Sequence, residues 1–166
     1  MNRHAWLLLL FVSAVFLATN AVAEPNTIFL VRHAERAAIS GRVPSDTGLS
    51  AEGKTRAQDL ARELKDAGIT IIFTTEYKRT QETATPLAES LGIRPEVVPA
   101  DDFRSLIAKI KSATGNVLVV GHSNTLPQVI NGLDVRTRVT IAESDYDNLF
   151  IILPRPKAEL IHLHYR

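Results

Sequence analysis

The sequence predicts an α/β fold, a three-layer α/β/α sandwich with a mostly parallel central sheet and an antiparallel hairpin at its C-terminal end. Three observations predict it. Short apolar runs containing β-branched residues recur at 27–31, 69–74 and 117–120, and an unbroken apolar run is how a strand buried on both faces reads. Segments of helical period separate those runs, and strands alternating with helices imply a parallel sheet covered on both sides by right-handed crossovers. The tail then changes character: two further strand-like runs flank Pro154 and Pro156, the pattern of an antiparallel pair.

Each element follows from its own residues. The run 27–31 is the first buried strand. Gly41, Pro44, Asp46 and Gly48 make 36–49 a loop. Ser50 has the chemistry of an N-cap. Ala57, Leu60, Ala61 and Leu64 follow at helical spacing, and Gly68 is the expected stop. After the strand 69–74, a helix over about 78–91 puts Ala84, Leu87, Ala88 and Leu91 on one face. Pro86 inside it predicts a kink or a late helix start. A short strand is expected at 96–98. Phe103, Leu106, Ile107 and Ile110 mark a third helix, capped by Asp101 or Asp102. The strand 117–120 precedes a fourth helix carrying Leu126, Val129, Ile130 and Leu133, with Pro127 tolerated in its first turn. The segments 149–153 and 159–165 complete the sheet.

Composition bounds the function. The 166 residues suit one domain, and an apolar content of 45% is ordinary for a chain that builds a core. A formal charge of +1 without a basic stripe argues against nucleic-acid binding. Asn2, Arg3 and His4 give a short positive start, 5–18 is almost entirely apolar, and Ala21-Val22-Ala23 offers small residues for cleavage. This is the three-part layout of a secretory signal peptide. It predicts removal of 1–23, a functional domain at 24–166, and a periplasmic or secreted location. The apolar run falls short of the roughly 20 residues that span a bilayer, so no stable membrane insertion is expected after cleavage. The sequence has no cysteine, which excludes disulfides and thiolate chemistry and leaves stability to the core.

The chemistry lies where the strands end. Arg32 and His33 follow the first strand, Glu76-Tyr77-Lys78-Arg79 follows the second at a helix start, and Gly121-His122 follows the third. In such sheets ligands bind beyond the C-terminal strand ends. Three junctions therefore deliver cationic or nucleophilic side chains to one place, where helix N-terminal amides add partial positive charge. An anion is expected there. Phosphate fits best, because arginine grips it with paired hydrogen bonds.

Four motifs, Val31-Arg32-His33-Ala34-Glu35, Leu49-Ser50-Ala51-Glu52-Gly53, Arg79-Thr80-Gln81-Glu82-Thr83-Ala84 and Val120-Gly121-His122-Ser123-Asn124, resemble the histidine phosphatase superfamily in its phosphoglycerate-mutase-like branch. The resemblance spans essentially all of 24–166 and is to small exported bacterial members. It implies a phosphomonoesterase of histidine acid phosphatase type. His33 aligns with the family nucleophile and would form a phosphohistidine, since a neutral imidazole attacks phosphorus without prior deprotonation. Arg32 and Arg79 would hold nonbridging oxygens, and His122, protonated beside the phosphate, would hold another. Water would then release phosphate. No metal or other cofactor is implied.

The leaving oxygen calls for a general acid. Glu96, Asp101, Asp102, Glu143, Asp145 and Asp147 all remain open for it. Ser123 stands where the superfamily's other branch has an aspartate, which closes that route. Ala34, in place of a glycine, and the short chain favour hydrolysis over mutase transfer, because a mutase must shield its intermediate from water. The expected substrate is a small phosphorylated molecule, a sugar phosphate or another phosphate of the cell envelope. Two other readings are a catalytically weak anion-binding protein and a protein phosphohistidine phosphatase, against which export argues. Substrate contacts are expected from loops 36–49 and 134–148, with Arg36, Arg42 and Lys54 as rim charges. Ser123, Asn124 and Thr125 read as helix caps. His162 and His164 share a strand face, but a pair without a third ligand makes a poor metal site. Nothing in the sequence sets an oligomeric state.

Overall fold

The computed structural model describes residues 26–38, 46–154 and 157–165. The expected signal peptide, 1–23, lies outside them, as do Gly41, Arg42 and Pro44 of the first loop and Pro156 of the last. Six strands form one sheet: β1 (Ile28–Arg32), β2 (Ile69–Thr74), β3 (Glu96–Val97), β4 (Asn116–Gly121), β5 (Asn148–Leu153) and β6 (Glu159–His164). Their order is β3-β2-β4-β1-β5-β6. The first four are mutually parallel, while β5 runs antiparallel to β1 and β6 antiparallel to β5.

Four helices cover the sheet: α1 (Ala51–Leu64), α2 (Lys78–Leu91), α3 (Phe103–Ser112) and α4 (Leu126–Gly132). Leu60 and Leu64 of α1 and Leu87 and Ala88 of α2 pack on Phe29, Val31, Ile72, Leu118 and Val120. Ile110 of α3 and Val129 and Ile130 of α4 pack on Leu30, Phe73, Val117, Val119 and Phe150. Alternate residues of β1 and β4 thus enter opposite cores, which is why their sequences are apolar throughout.

Several boundaries shift for physical reasons. β1 extends to Arg32, because Arg32 still pairs with Gly121 of β4. β3 keeps only Glu96 and Val97, and the Val98 amide donates to the Thr74 carbonyl at 2.9 Å. α2 starts at Lys78 and continues past Pro86, so the late start is not adopted. Proline lacks one donor, but Ala84, Leu87 and Ala88 on its buried face hold the helix to the sheet. α1 ends at Leu64, and Gly68, at φ +64°, makes the turn into β2. Ser50 caps α1 by accepting from the Gly53 amide at 3.0 Å, and Asp102, not Asp101, caps α3 by accepting from Ser105 at 3.1 Å.

One topological fact positions the site. Because β5 is antiparallel to β1, with Leu149 opposite Val31, its first residues lie at the C-terminal end of β1. The chain leading into β5 therefore arrives where β1, β2 and β4 end.

Candidate active site

Strand register brings the two histidines together. The His33 amide donates to the Gly121 carbonyl at 2.9 Å, so His33 and His122 leave adjacent strands side by side. Their ring centroids are 5.3 Å apart. The first turn of α2 supplies Arg79, whose Nη2 lies 3.5 Å from His122 Nδ1. Arg32, His33, Arg79 and His122 are all buried. They line a cavity of about 500 Å³, together with Arg36 and Glu143 among others.

Hydrogen bonds decide the tautomers. His33 Nδ1 lies 2.8 Å from the Ala34 carbonyl oxygen. A carbonyl only accepts, so Nδ1 carries the proton and a neutral ring leaves a lone pair on Nε2. Burial, with support from His122, Arg32 and Arg79, pushes the His33 pKa down to about 3 despite the bond to Ala34. At His122 the guanidinium of Arg79 is a donor, so Nδ1 accepts and Nε2–H donates to Thr75 Oγ1 at 3.1 Å. Thr75 Oγ1 continues to Thr80 Oγ1 at 2.9 Å, which donates to the Tyr77 carbonyl at 2.8 Å. Burial first, and Arg79 second, lowers the His122 pKa to about 4. His122 is therefore neutral in the free pocket, because desolvation and neighbouring guanidiniums both penalise charge; the cation is expected beside a bound phosphate, which is a different state.

The arginines are held by different means. Arg32 Nη1 donates to the Ala142 and Asp145 carbonyls at 2.8 and 3.3 Å, and Nη2 to Glu143 at 2.8 Å. Its buried Nε has no hydrogen-bond partner among the described residues. Tyr146 stacks on the Arg32 guanidinium and Tyr77 on that of Arg79, each at 4.2 Å. This cluster of guanidinium donors and one imidazole lone pair lining the cavity is suited to an oxyanion and to nucleophilic attack on it.

Part of the chain is similar to known proteins. Residues 28–106 match the sequence profile of the histidine phosphatase superfamily, branch 1. Over that stretch the chain is similar to the histidine phosphatases of that branch. It is 39% identical over 90 residues to 6-phosphofructo-2-kinase/fructose-2,6-bisphosphatase 1 of Rattus norvegicus, covering 52% of this chain and 17% of that protein. The chain spans 17% to 33% of the length of such curated relatives. Among solved structures it resembles the protein histidine phosphatase SixA complexed with tungstate, with a TM-score of 0.67, 16% identity, and coverage of 83% of this chain and 96% of that one. A mycobacterial glucosyl-3-phosphoglycerate phosphatase gives a TM-score of 0.65 at 14% identity, covering 85% of this chain and 99% of that one. At those identities the likeness is one of fold, the phosphoglycerate-mutase-like α/β sandwich.

The remaining motif residues brace the site. Thr83 Oγ1 accepts from the Ala34 amide at 2.9 Å and donates to the Arg79 carbonyl at 2.7 Å, tying two junctions together. Glu35 accepts from Arg56 of α1, and Glu82 accepts from the Leu49 amide at 2.7 Å. Ser123 and Thr125 do not cap α4 through their side chains as expected. Thr125 Oγ1 accepts from the His122 amide at 3.1 Å, and Ser123 Oγ donates to Glu143 at 2.6 Å.

The candidate acids separate cleanly. Glu96 pairs with Lys109, Asp102 caps α3, Asp145 accepts from the Ala142 amide at 3.1 Å, and Asp147 pairs with His164 at 3.1 Å. Asp101 and Glu143 line the cavity. Lys54 is exposed on α1 outside the cavity lining. His162 stacks on Phe150 and bonds Asn148, and no group of three metal-ligating side chains occurs among the described residues. Among those residues, too, no helix is long and apolar enough to cross a membrane. Thr75, Tyr77 and Tyr146 touch His122, Arg79 and Arg32, contacts to which sequence reasoning gave no part. Tyr77 and Thr75 sit beside a recognised junction, whereas Tyr146 carries no local signal.

Proposed function

We propose that this chain is a phosphomonoester hydrolase that works through a phosphohistidine on Nε2 of His33. The carrying observation is the bond from Nδ1 to the Ala34 carbonyl: it holds the ring in the tautomer whose free lone pair faces a pocket of guanidinium donors. Nε2 forms a bond to phosphorus as the ester P–O bond breaks, and a water molecule then takes the phosphoryl group from nitrogen. Arg32 and Arg79 bind the nonbridging oxygens, whose charge needs stabilisation during transfer. The oxyanion also changes His122: a phosphoryl group beside it raises the imidazole pKa and draws Nδ1 from accepting Arg79 to donating to oxygen.

The reaction needs no metal in this reading, since the guanidiniums and His122 supply the positive charge. Tungstate in the SixA structure and inorganic phosphate in a mycobacterial glucosyl-3-phosphoglycerate phosphatase of the same fold support an oxyanion site. The substrate class is a small phosphate monoester, a sugar phosphate or other envelope phosphate. The layout of residues 1–23 supports a periplasmic or secreted location.

The test is hydrolysis of p-nitrophenyl phosphate in the presence of a chelator, by the wild type and by His33→Ala. Turnover by the wild type and background release by the variant are expected, together with an acid-labile phosphoryl adduct in rapid-quench labelling. Equal turnover by His33→Ala would refute the nucleophile.

A further inference from the structure

Glu143 carries chemistry that the four core residues do not account for. It precedes β5 in a loop delivered to the pocket by the antiparallel β1–β5 pairing. One carboxylate oxygen accepts from Arg32 Nη2 at 2.8 Å and the other from Ser123 Oγ at 2.6 Å. Its side chain is 76% exposed, whereas that of Arg32 is 1% exposed. Both Glu143 and His33 line the cavity, and His33 is only 4% exposed, so Glu143 stands toward its mouth and His33 deeper in it. In-line displacement puts the leaving oxygen opposite the attacking nitrogen, so a phosphoryl group seated on Nε2 of His33 points its ester oxygen toward the mouth.

We propose that Glu143 is the general acid for the leaving oxygen, and the base that activates water in the second step. The proposal rests on the phosphohistidine reading above. In the free pocket Glu143 is a carboxylate occupying the donor of Arg32 that a phosphoryl oxygen would take. A bound phosphoryl group displaces it from Arg32 and sets a like charge beside it, which favours the protonated carboxyl. A monoester monoanion brings the required proton. In the first step Nε2–P forms, P–O breaks, and the Glu143 O–H passes its proton to the departing alkoxide. In the second, the Glu143 carboxylate takes a proton from water as water oxygen bonds to phosphorus and Nε2–P breaks. The carboxyl is thereby regenerated. Ser123, which donates to Glu143, keeps the carboxylate at the mouth while the pocket is empty. Asp101 also lines the cavity, but no contact ties it to Arg32 or His33.

Leaving-group dependence tests this. An alkyl phosphate needs protonation of its leaving oxygen far more than an aryl phosphate does. Glycerol 2-phosphate and p-nitrophenyl phosphate are compared on the full chain, for the wild type, Glu143→Gln and Asp101→Asn. Glu143→Gln is expected to lower kcat/KM for the alkyl ester by about 10²–10⁴-fold, much more than for the aryl ester, and to remove the fall of the alkyl profile at high pH. Equal fractional losses on the two esters, or no loss, would overturn the assignment. So would a selective alkyl loss in Asp101→Asn with none in Glu143→Gln. Circular dichroism checks folding, and Glu143→Asp, which keeps the acid but shortens its reach, replaces the glutamine variant if that one unfolds. Activity surviving in His33→Ala would instead defeat the underlying phosphohistidine reading, so the two failures are distinguishable.

Discussion

His33 and His122 sit one residue beyond paired positions of neighbouring strands, and each is kept neutral by burial among arginines. With pKa values near 3 and 4 against an ordinary 6.5, the folded protein binds fewer protons at these sites than the unfolded chain between those limits. Stability therefore falls as pH drops from about 6.5 toward 4 and then 3. The sign is that of a histidine buried uncharged: the linkage is absent above 6.5 and grows with acid. Nitrogen-15 chemical shifts of the two imidazoles at pH 5.5 should report neutral rings in the free protein, with the His33 proton on Nδ1. Added phosphate should shift His122 toward the imidazolium. Shifts typical of an imidazolium at both sites without phosphate would contradict the tautomer on which the proposed nucleophile depends.

At the scale of elements, the site is only as ordered as the joints behind it. The N-terminus of α1 approaches the chain after β1 so closely that a Cβ on Gly53 would lie 2.3 Å from the Glu35 carbonyl oxygen. Gly53→Ala forces those two segments apart. The expected cost is about 1–3 kcal/mol, as for other overpacked sites. Thermal unfolding measures it, and kcat/KM should fall as well because Ala34 and Glu35 directly follow His33, the proposed nucleophile. An unchanged melting temperature would mean that this contact does not brace the active site. Thr83 has a similar bracing role between Ala34 and Arg79, which explains a threonine inside a helix where its hydroxyl bonds the carbonyl four residues back.

Across the whole molecule, the C-terminal pair closes one side of the sheet and delivers the loop before β5 to the pocket. β6 pairs with β5 along its length, and Tyr165 beyond it is buried in the core shared with α1 and α2. A chain ending at Leu153 would expose the β5 edge and open that core, and an unpaired apolar edge invites association. Loss of cooperative unfolding and a shift to aggregates in size-exclusion chromatography are expected. A monodisperse truncated chain that turns over p-nitrophenyl phosphate as the full chain does would mean that β6 is dispensable for both fold and site.

Local signals alone carried the sequence a long way. Apolar runs identified β1, β2 and β4 because strands buried on both faces need no polar alternation, and helical spacing identified α1 to α4 because each presents one face to a sheet. Arg32, His33, Arg79 and His122 were legible because each stands where such a strand gives way to the next segment. Tertiary structure decided what distance in sequence conceals. The antiparallel turn of β5 against β1 brings Glu143 and Tyr146 onto Arg32, across more than 110 positions. The same enclosure makes His122 neutral, since desolvation and the approach of Arg79 exist only once the chain has folded. Pairing register and burial are properties of segments meeting in space, so no local pattern encodes them.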